Sequence, residues 1–347
     1  MSKAFFMIVC IICISSRLFS MHKNNKNSLF YGYISHFISL YSNIKLILTL
    51  KALFSSIFLT IFTPMKETLQ HIKESLSPIF SQREINSLIK IIFENLKGYS
   101  QVDIIMHSDD ELSDYIKNKI DKILSRLLNH EPIQYILGEA YFQGFHLKVT
   151  PSTLIPRPET EQLVDIIIRE NSRPDLRILD IGTGSGAIAI ALARALHFPQ
   201  VDAIDISSEA LIVAKENAKT LKANVNFILK DILNEPAPCE PLYDIIVSNP
   251  PYITHTERTH MEPNVLDYEP HSALFVPDSD PLLFYRAIAK YADRALSHGG
   301  RLYFEINRNY DKETAELLSN YGFEDISIEK DMYANDRFVS ATKTSHV

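Results

Sequence analysis

The sequence predicts an α/β protein: a doubly wound, mostly parallel sheet of seven strands, preceded by a small N-terminal helical domain and joined to it by a β-hairpin. Three observations carry this. From residue 177 onward, short apolar strands alternate with helices, as βαβ units do. The first of these strands runs into Gly182-Thr183-Gly184-Ser185-Gly186 and then straight into a helix. Between residues 65 and 133, apolar residues recur at spacings of three and four, the period of a helix and not of a strand.

The chain has 347 residues and a 46% apolar fraction, enough for two domains. Its charge is uneven. Residues 1–64 hold six basic residues and no acid, so residues 65–347 carry 29 basic against 42 acidic side chains, a formal charge of −13. An acidic body is a poor general binder of phosphate backbones, and no direct contact with nucleic acid is expected. Three cysteines, Cys10, Cys13 and Cys239, exclude a disulfide framework. Cys10 and Cys13 form a C-x-x-C inside an apolar run, where it reads as chance. With no Cys-His cluster, no metal is expected, and the compartment implied is reducing, hence cytoplasmic.

Residues 1–64 contain two apolar runs, 4–14 and 46–62, the first too short to span a bilayer and the second interrupted by Lys51. A membrane anchor, a targeting segment and a translated leader are the three readings. The abrupt change of composition at Met65 favours a leader that is not part of the fold, with Met65 as the natural first residue and no membrane association. In the helical domain, 65–133, Ile85, Leu88, Ile89, Ile92 and Leu96 share one helix face, which Gly98 closes. Leu112, Tyr115, Ile116, Ile120, Ile123, Leu124, Leu127 and Leu128 form a second stripe, opened by Ser108-Asp109-Asp110-Glu111 as cap and dipole-compatible acids. Residues 134–158 hold the hairpin, two alternating runs joined at Gly144, and a proline-rich linker. Its prolines fix the directions of Arg157 and Glu159.

In the main domain, 159–347, strands are expected at 177–181, 201–206, 226–230, 244–248 and 301–306, with helices starting near 187, 208, 281 and 310. Runs 325–329 and 337–342 have no helix between them and should form an antiparallel hairpin at one edge. The glycine loop lets the backbone turn sharply and present N–H groups at a helix start. Gly182, Gly184 and Ala187 also satisfy a dinucleotide pattern, so nicotinamide and S-adenosylmethionine both remain open at this point. Asp205, at the end of the second strand, is placed to accept ribose hydroxyls. Asp231, after the third, is placed for an adenine amino group, although capping its own turn is a credible alternative.

In such a sheet the first and fourth strands are neighbours, which brings Asn249-Pro250-Pro251-Tyr252 beside the glycine loop. The prolines stiffen the corner and leave carbonyls with no N–H of their own, so Asn249 and the Pro250 carbonyl can grip a planar NH2 group next to the Tyr252 ring. A structural Pro-Pro turn is the plain alternative. A hydride-transfer enzyme would want a proton donor there; a two-acceptor grip suits methyl transfer to nitrogen.

From Met65 to Thr342 the chain resembles the HemK/PrmC family of S-adenosylmethionine-dependent protein-(glutamine-N5) methyltransferases. The resemblance rests on Phe142-Gln143-Gly144-Phe145, on 154–161, on Asp180 with Gly182, Thr183, Gly184 and Gly186, on 248–253 and on Tyr268-Glu269-Pro270. It implies a class I methyltransferase fold and the Gln of the Gly-Gly-Gln tripeptide of peptide chain release factors as substrate. It also implies that the helical domain helps to dock the factor. By the same similarity Asn249, Pro250 and Tyr252 are catalytic. Asp180, Gly182, Thr183, Gly184, Gly186, Asp205, Asp231 and Asn249 hold the cofactor. Pro251, Arg157 and Glu159 join Asn249, Pro250 and Tyr252 on the substrate. The chain departs from the family pattern at Pro281, Asn307 and Tyr310, where Gly, Gly and Gln are usual. The alternatives are an N6-adenine nucleic-acid methyltransferase, a membrane-tethered or noncatalytic binding protein, and a dehydrogenase.

Overall fold

Seven strands form the main sheet in the computed structural model, which describes residues 64–234, 236, 238 and 242–344, and His260 by its backbone alone. The leader and its C-x-x-C, up to residue 63, lie outside the described residues, as does Cys239. The chain divides into two units, Met1–Thr68 with His107–Tyr115, and Leu69–Met106 with Ile116–Val347. Among the described residues no helix is long and apolar enough to cross a membrane.

In the first unit Pro64 bridges Glu111, and the Met65 and Lys66 N–H groups donate to the carbonyls of Asp110 and Ser108, both at 2.8 Å. That pairing corrects an expectation. Ser108 to Glu111 form a turn, since their carbonyls serve a neighbouring segment, and the helix starts only at Asp114.

Helices α1 (Met65–Leu76), α2 (Gln82–Lys97), α3 (Gln101–Met106), α4 (Asp114–Leu127) and α5 (Ile133–Leu137) precede the hairpin. Ser81 and Glu84 close a capping box on α2, and Gly98, with φ 68°, ends it in the left-handed region. The α2 stripe is buried through Ile85, Leu88, Ile89 and Ile92, and that of α4 through Ile120, Ile123, Leu124 and Leu127. Tyr115 and Leu128, which the periodicity also placed in the second stripe, are exposed. The hairpin is β1 (Glu139–Phe142) against β2 (Phe145–Lys148).

The sheet strands are β3 (Arg177–Ile181), β4 (Gln200–Asp205), β5 (Val225–Leu229), β6 (Tyr243–Ser248), β9 (Leu296–Glu305), β10 (Phe323–Lys330) and β11 (Asp336–Lys343), after the short β7 (Ile253–Thr254) and β8 (Phe275–Val276). Their order across the sheet is β10-β11-β9-β6-β3-β4-β5. Pairing is parallel from β9 to β5, while β11 runs antiparallel to both β9 and β10.

Helices α6 (Pro158–Glu170), α7 (Ala187–Ala195), α8 (Ser208–Leu221), α9 (Pro263–Leu266), α10 (Leu283–Ala295) and α11 (Asp311–Asn320) complete the fold. Alternate residues of each strand enter opposite cores, as the strand period of two requires. Ile178, Ile245 and Val247 pack with Leu163, Val164 and Ile167 of α6 and Ile188 of α7. Leu179, Ile246 and Leu302 pack with Tyr285, Ile288 and Ala292 of α10.

Two features were not legible beforehand. Strand β9 begins at Leu296, five residues early, because Gly299 and Gly300 absorb a register shift against β6. A Cβ at Gly300 would lie 2.8 Å from the Ser297 carbonyl and 3.1 Å from that of Asp244. The two-residue parallel ladder of β7 with β8 frames the insertion that follows the Asn corner.

Candidate active site

Strands β3, β4 and β6 end side by side, and the Ser248 hydroxyl donates to the Ile181 carbonyl at 2.7 Å, tying the glycine loop to the Asn corner. A cavity of about 330 Å³ opens at these ends, lined by Gly182, Gly184, Asp205, Asp231, Asn249, Pro250 and Pro251 among others. The loop turns through positive φ at Gly182 (75°), Gly184 (55°) and Gly186 (84°). A Cβ on Gly182 or Gly184 would meet no atom of the described residues within 4 Å, and both glycines line the cavity. Gly186 plays another part. Its Cβ would sit 3.0 Å from Ile190 Cδ1 and 3.2 Å from Ala214 Cβ, so its bareness lets α7 and α8 close on the loop.

Asp205 accepts the Gly184 N–H at 2.8 Å with one oxygen and the Ser207 N–H at 2.9 Å with the other. Burial raises its pKa, against those bonds. Asp231 accepts the Leu233 N–H and the Asn234 side-chain amide at 3.0 and 2.7 Å, so it caps its own turn while lining the cavity.

Asp180 and Thr183 do not line that cavity. Asp180 is fully buried, and its Oδ2 accepts the Thr183 hydroxyl at 2.7 Å and the Ala189 N–H at 3.2 Å. Among the described residues its Oδ1 has no hydrogen-bond partner, and burial pushes the carboxyl up to about 7. The pair therefore braces the loop from behind.

A second cavity, of about 270 Å³, is lined by Arg157, Tyr252 and Glu305, and it shares Leu154, Asn249, Pro250 and Ala273 with the first. Asn249-Pro250 thus forms the wall common to both. Glu159 lines neither, and Pro251 lines only the first. The Asn249 Nδ2 donates to Thr160 Oγ1 at 3.2 Å, the Thr160 hydroxyl donates to Glu305 Oε2 at 2.7 Å, and the Tyr252 hydroxyl donates to Glu305 Oε1 at 3.1 Å. Thr160 and Glu305 are both buried.

Arg157 pairs with the buried Glu269 at 2.5 Å, and Glu269 also accepts the Ile155 N–H at 3.2 Å, which pins the proline-rich linker to the insertion. At the departure positions the bonds are local ones. Asn307 donates to the Tyr252 carbonyl at 3.1 Å and to Glu257 at 3.0 Å; burial opposes ionisation of Glu257, but its bonds from Thr254, Asn307 and Asn309 hold it below the usual range. Pro281 precedes α10, where Asp280 forms a two-point pair with Arg286 at 2.7 and 3.0 Å. The Tyr310 carbonyl accepts the Thr314 hydroxyl at 2.7 Å at the start of α11.

Thr160, Glu269, Glu305 and Asn307 were not singled out from sequence as site residues. A carboxylate at the carboxyl end of β9, beside the switch point, is the one positional signal that marks Glu305 in advance.

Residues 160–266 match the family described as Methyltransferase small domain, and residues 67–138 match the PrmC N-terminal domain. The chain is 45% identical over 280 residues to the release factor glutamine methyltransferase of Bacteroides thetaiotaomicron, covering 80% of this chain and 100% of the relative. Identity to the protein of that name from Flavobacterium psychrophilum is 47% over 270 residues, covering 77% and 94%. For that from Streptococcus pneumoniae it is 41% over 263 residues, covering 75% and 93%.

Proposed function

Since the chain belongs to the release factor glutamine methyltransferase family, we propose that it methylates the side-chain amide nitrogen, N5, of the Gly-Gly-Gln glutamine in peptide chain release factors. The donor proposed is S-adenosylmethionine. The observation that carries this reading is the common wall: Asn249 and Pro250 face one cavity suited to a nucleoside and another suited to a small side chain.

The first cavity fits the proposed donor. Two glycines whose Cβ positions are open, a carboxylate at the end of β4 and apolar Ile206, Ile232 and Phe284 match a ribose, a charged amino-acid tail and a purine face. Gly182, Gly184, Asp205 and Asp231 would hold it, while Asp180, Thr183 and Gly186 keep the loop in shape. Bound there, it supplies a methyl group made electrophilic by its sulfonium.

The protein's part is positioning. An amide nitrogen is a poor nucleophile because its lone pair is conjugated with the carbonyl. Acceptors at Asn249 Oδ1 and the Pro250 carbonyl would take its two hydrogens, align the nitrogen and favour the positive charge that develops on it. Alignment of this kind supplies on the order of 7 kcal/mol or more when the geometry is good. Arg157 and Tyr252 wall the substrate cavity, and residues 65–133 are the proposed docking region for the factor.

The test is methyl transfer from labelled S-adenosylmethionine to a release factor and to a variant whose tripeptide Gln is replaced. Label on the first and none on the second is expected. In the enzyme, Asn249→Ala should lower kcat by about 10²–10³ with little change in cofactor Kd. Loss of cofactor binding as the sole effect would count against the role given to Asn249. Methylation of adenine in nucleic acid, in place of the factor, would overturn the substrate.

A further inference from the structure

A two-acceptor grip works only if the Asn249 side chain presents oxygen, not nitrogen, to the substrate. The two ends of a primary amide are nearly equal in size, so packing alone discriminates poorly between the two orientations. Discrimination has to come from a hydrogen-bond partner of fixed polarity. The structure contains one behind the corner. An ionised carboxylate only accepts, so both the Thr160 hydroxyl and the Tyr252 hydroxyl must spend their hydrogens on Glu305, at 2.7 and 3.1 Å. Thr160 Oγ1 then has only lone pairs left for Asn249, 3.2 Å away, and an accepting oxygen there demands the NH2 end of the amide.

We propose that Thr160 and Glu305 are positioning residues that set the polarity of the Asn249 amide, so that its Oδ1 faces the reacting nitrogen. The proposal rests on the reading of Asn249 as the grip on the substrate amide. Thr160 lines neither cavity and Glu305 lines the second, and the role proposed for both is exerted through Asn249.

The relay has a defined way to fail. A protonated Glu305 can donate to Thr160 Oγ1, the Thr160 hydroxyl then turns its hydrogen towards Asn249, and the amide reverses. Several groups face this carboxyl: Thr160 and Glu159 from α6, Tyr252 from the corner, and Arg337 from β11. Tyr285 of α10 donates its hydroxyl to the Glu305 backbone carbonyl at 3.3 Å. Burial dominates and raises the carboxyl above the usual glutamate range, with the Thr160 bond, Arg337 and the Tyr252 bond opposing. Activity should therefore fall on the acid side at a higher pH than an ordinary glutamate would give.

Thr160→Val keeps the shape and removes the hydroxyl; Thr160→Ser restores it. Steady-state kinetics on a release factor, cofactor Kd and the pH profile of kcat are measured for each. Thr160→Val is expected to lower kcat by about 10- to 100-fold with cofactor Kd within about twofold, as the loss of an oriented hydrogen bond to a reacting amide implies. Thr160→Ser should recover most of the loss, and the acid limb should be absent from Thr160→Val. Glu305→Gln, which can donate to Thr160, serves as the second variant if Thr160→Val fails to fold, with the same loss of kcat and of the acid limb expected. Wild-type kcat in Thr160→Val, or an unchanged acid limb in either variant, overturns the relay while leaving the substrate assignment standing. No transfer by the wild-type enzyme to the tripeptide Gln overturns both.

Discussion

At the scale of single residues, the site separates side chains that line the cavities from those that hold them in place. Asp180 shows how far apart these can be. It stands two residues before Gly182, yet it is fully buried and accepts from Thr183 and Ala189. Its carboxyl is pushed up to about 7 by burial, so the folded protein keeps a proton that the unfolded chain releases near the ordinary aspartate value. The stability this proton contributes is fully present below that ordinary value and is lost as pH rises through about 7. Asp180→Asn should therefore flatten the dependence of Tm on pH between about 4 and 7. A slope identical to that of the wild type would show that Asp180 does not titrate in this window.

Among the elements, the glycine loop and the Asn corner were legible because each is a strand followed by residues with restricted backbone freedom. Glycine and proline act through φ, a property that needs no neighbour to be known. The structure brings Asn249, Pro250, Gly182 and Gly184 to one cavity, as the neighbouring strand ends imply. The Thr160 to Glu305 contact was not legible, since it joins residues 145 apart in sequence and depends on α6 and β9 lying against the same corner. Ser108 to Glu111 failed for the opposite reason: local capping chemistry was present, but Met65 and Lys66 compete for the carbonyls.

The loop also yields a contrast between two glycines. Gly186→Ala meets Ile190 and Ala214 at a positive φ and should cost about 2–4 kcal/mol, lowering Tm by several degrees. Gly184→Ala faces open space and should cost only about 1 kcal/mol of backbone strain while weakening cofactor binding. Thermal melts and cofactor titrations on the two variants separate packing from binding; equal effects on both readouts would contradict the division.

For the molecule as a whole, the charge balance sets what can approach. With 42 acidic against 29 basic side chains after residue 64, the body repels polyanions. Methyl transfer to a release factor should accordingly be insensitive to added duplex DNA or RNA at moderate salt, and strong inhibition would reveal a basic patch hidden in the net charge. Sheet topology has a consequence of its own. Strand β11 follows every other described strand in sequence, yet it lies inside the sheet, paired on both sides by β9 and β10. It also carries Arg337, which bonds to Asp331 at 3.2 Å and to the Ile306 carbonyl at 3.1 Å, one residue past Glu305. During synthesis the cofactor half, β3 to β6, emerges long before β11. While residues 336–343 remain inside the ribosomal tunnel, β9 has an unpaired edge and the support of Glu305 is missing. A nascent chain arrested at that point is expected to build the glycine loop while the open edge of β9 still waits for its neighbour.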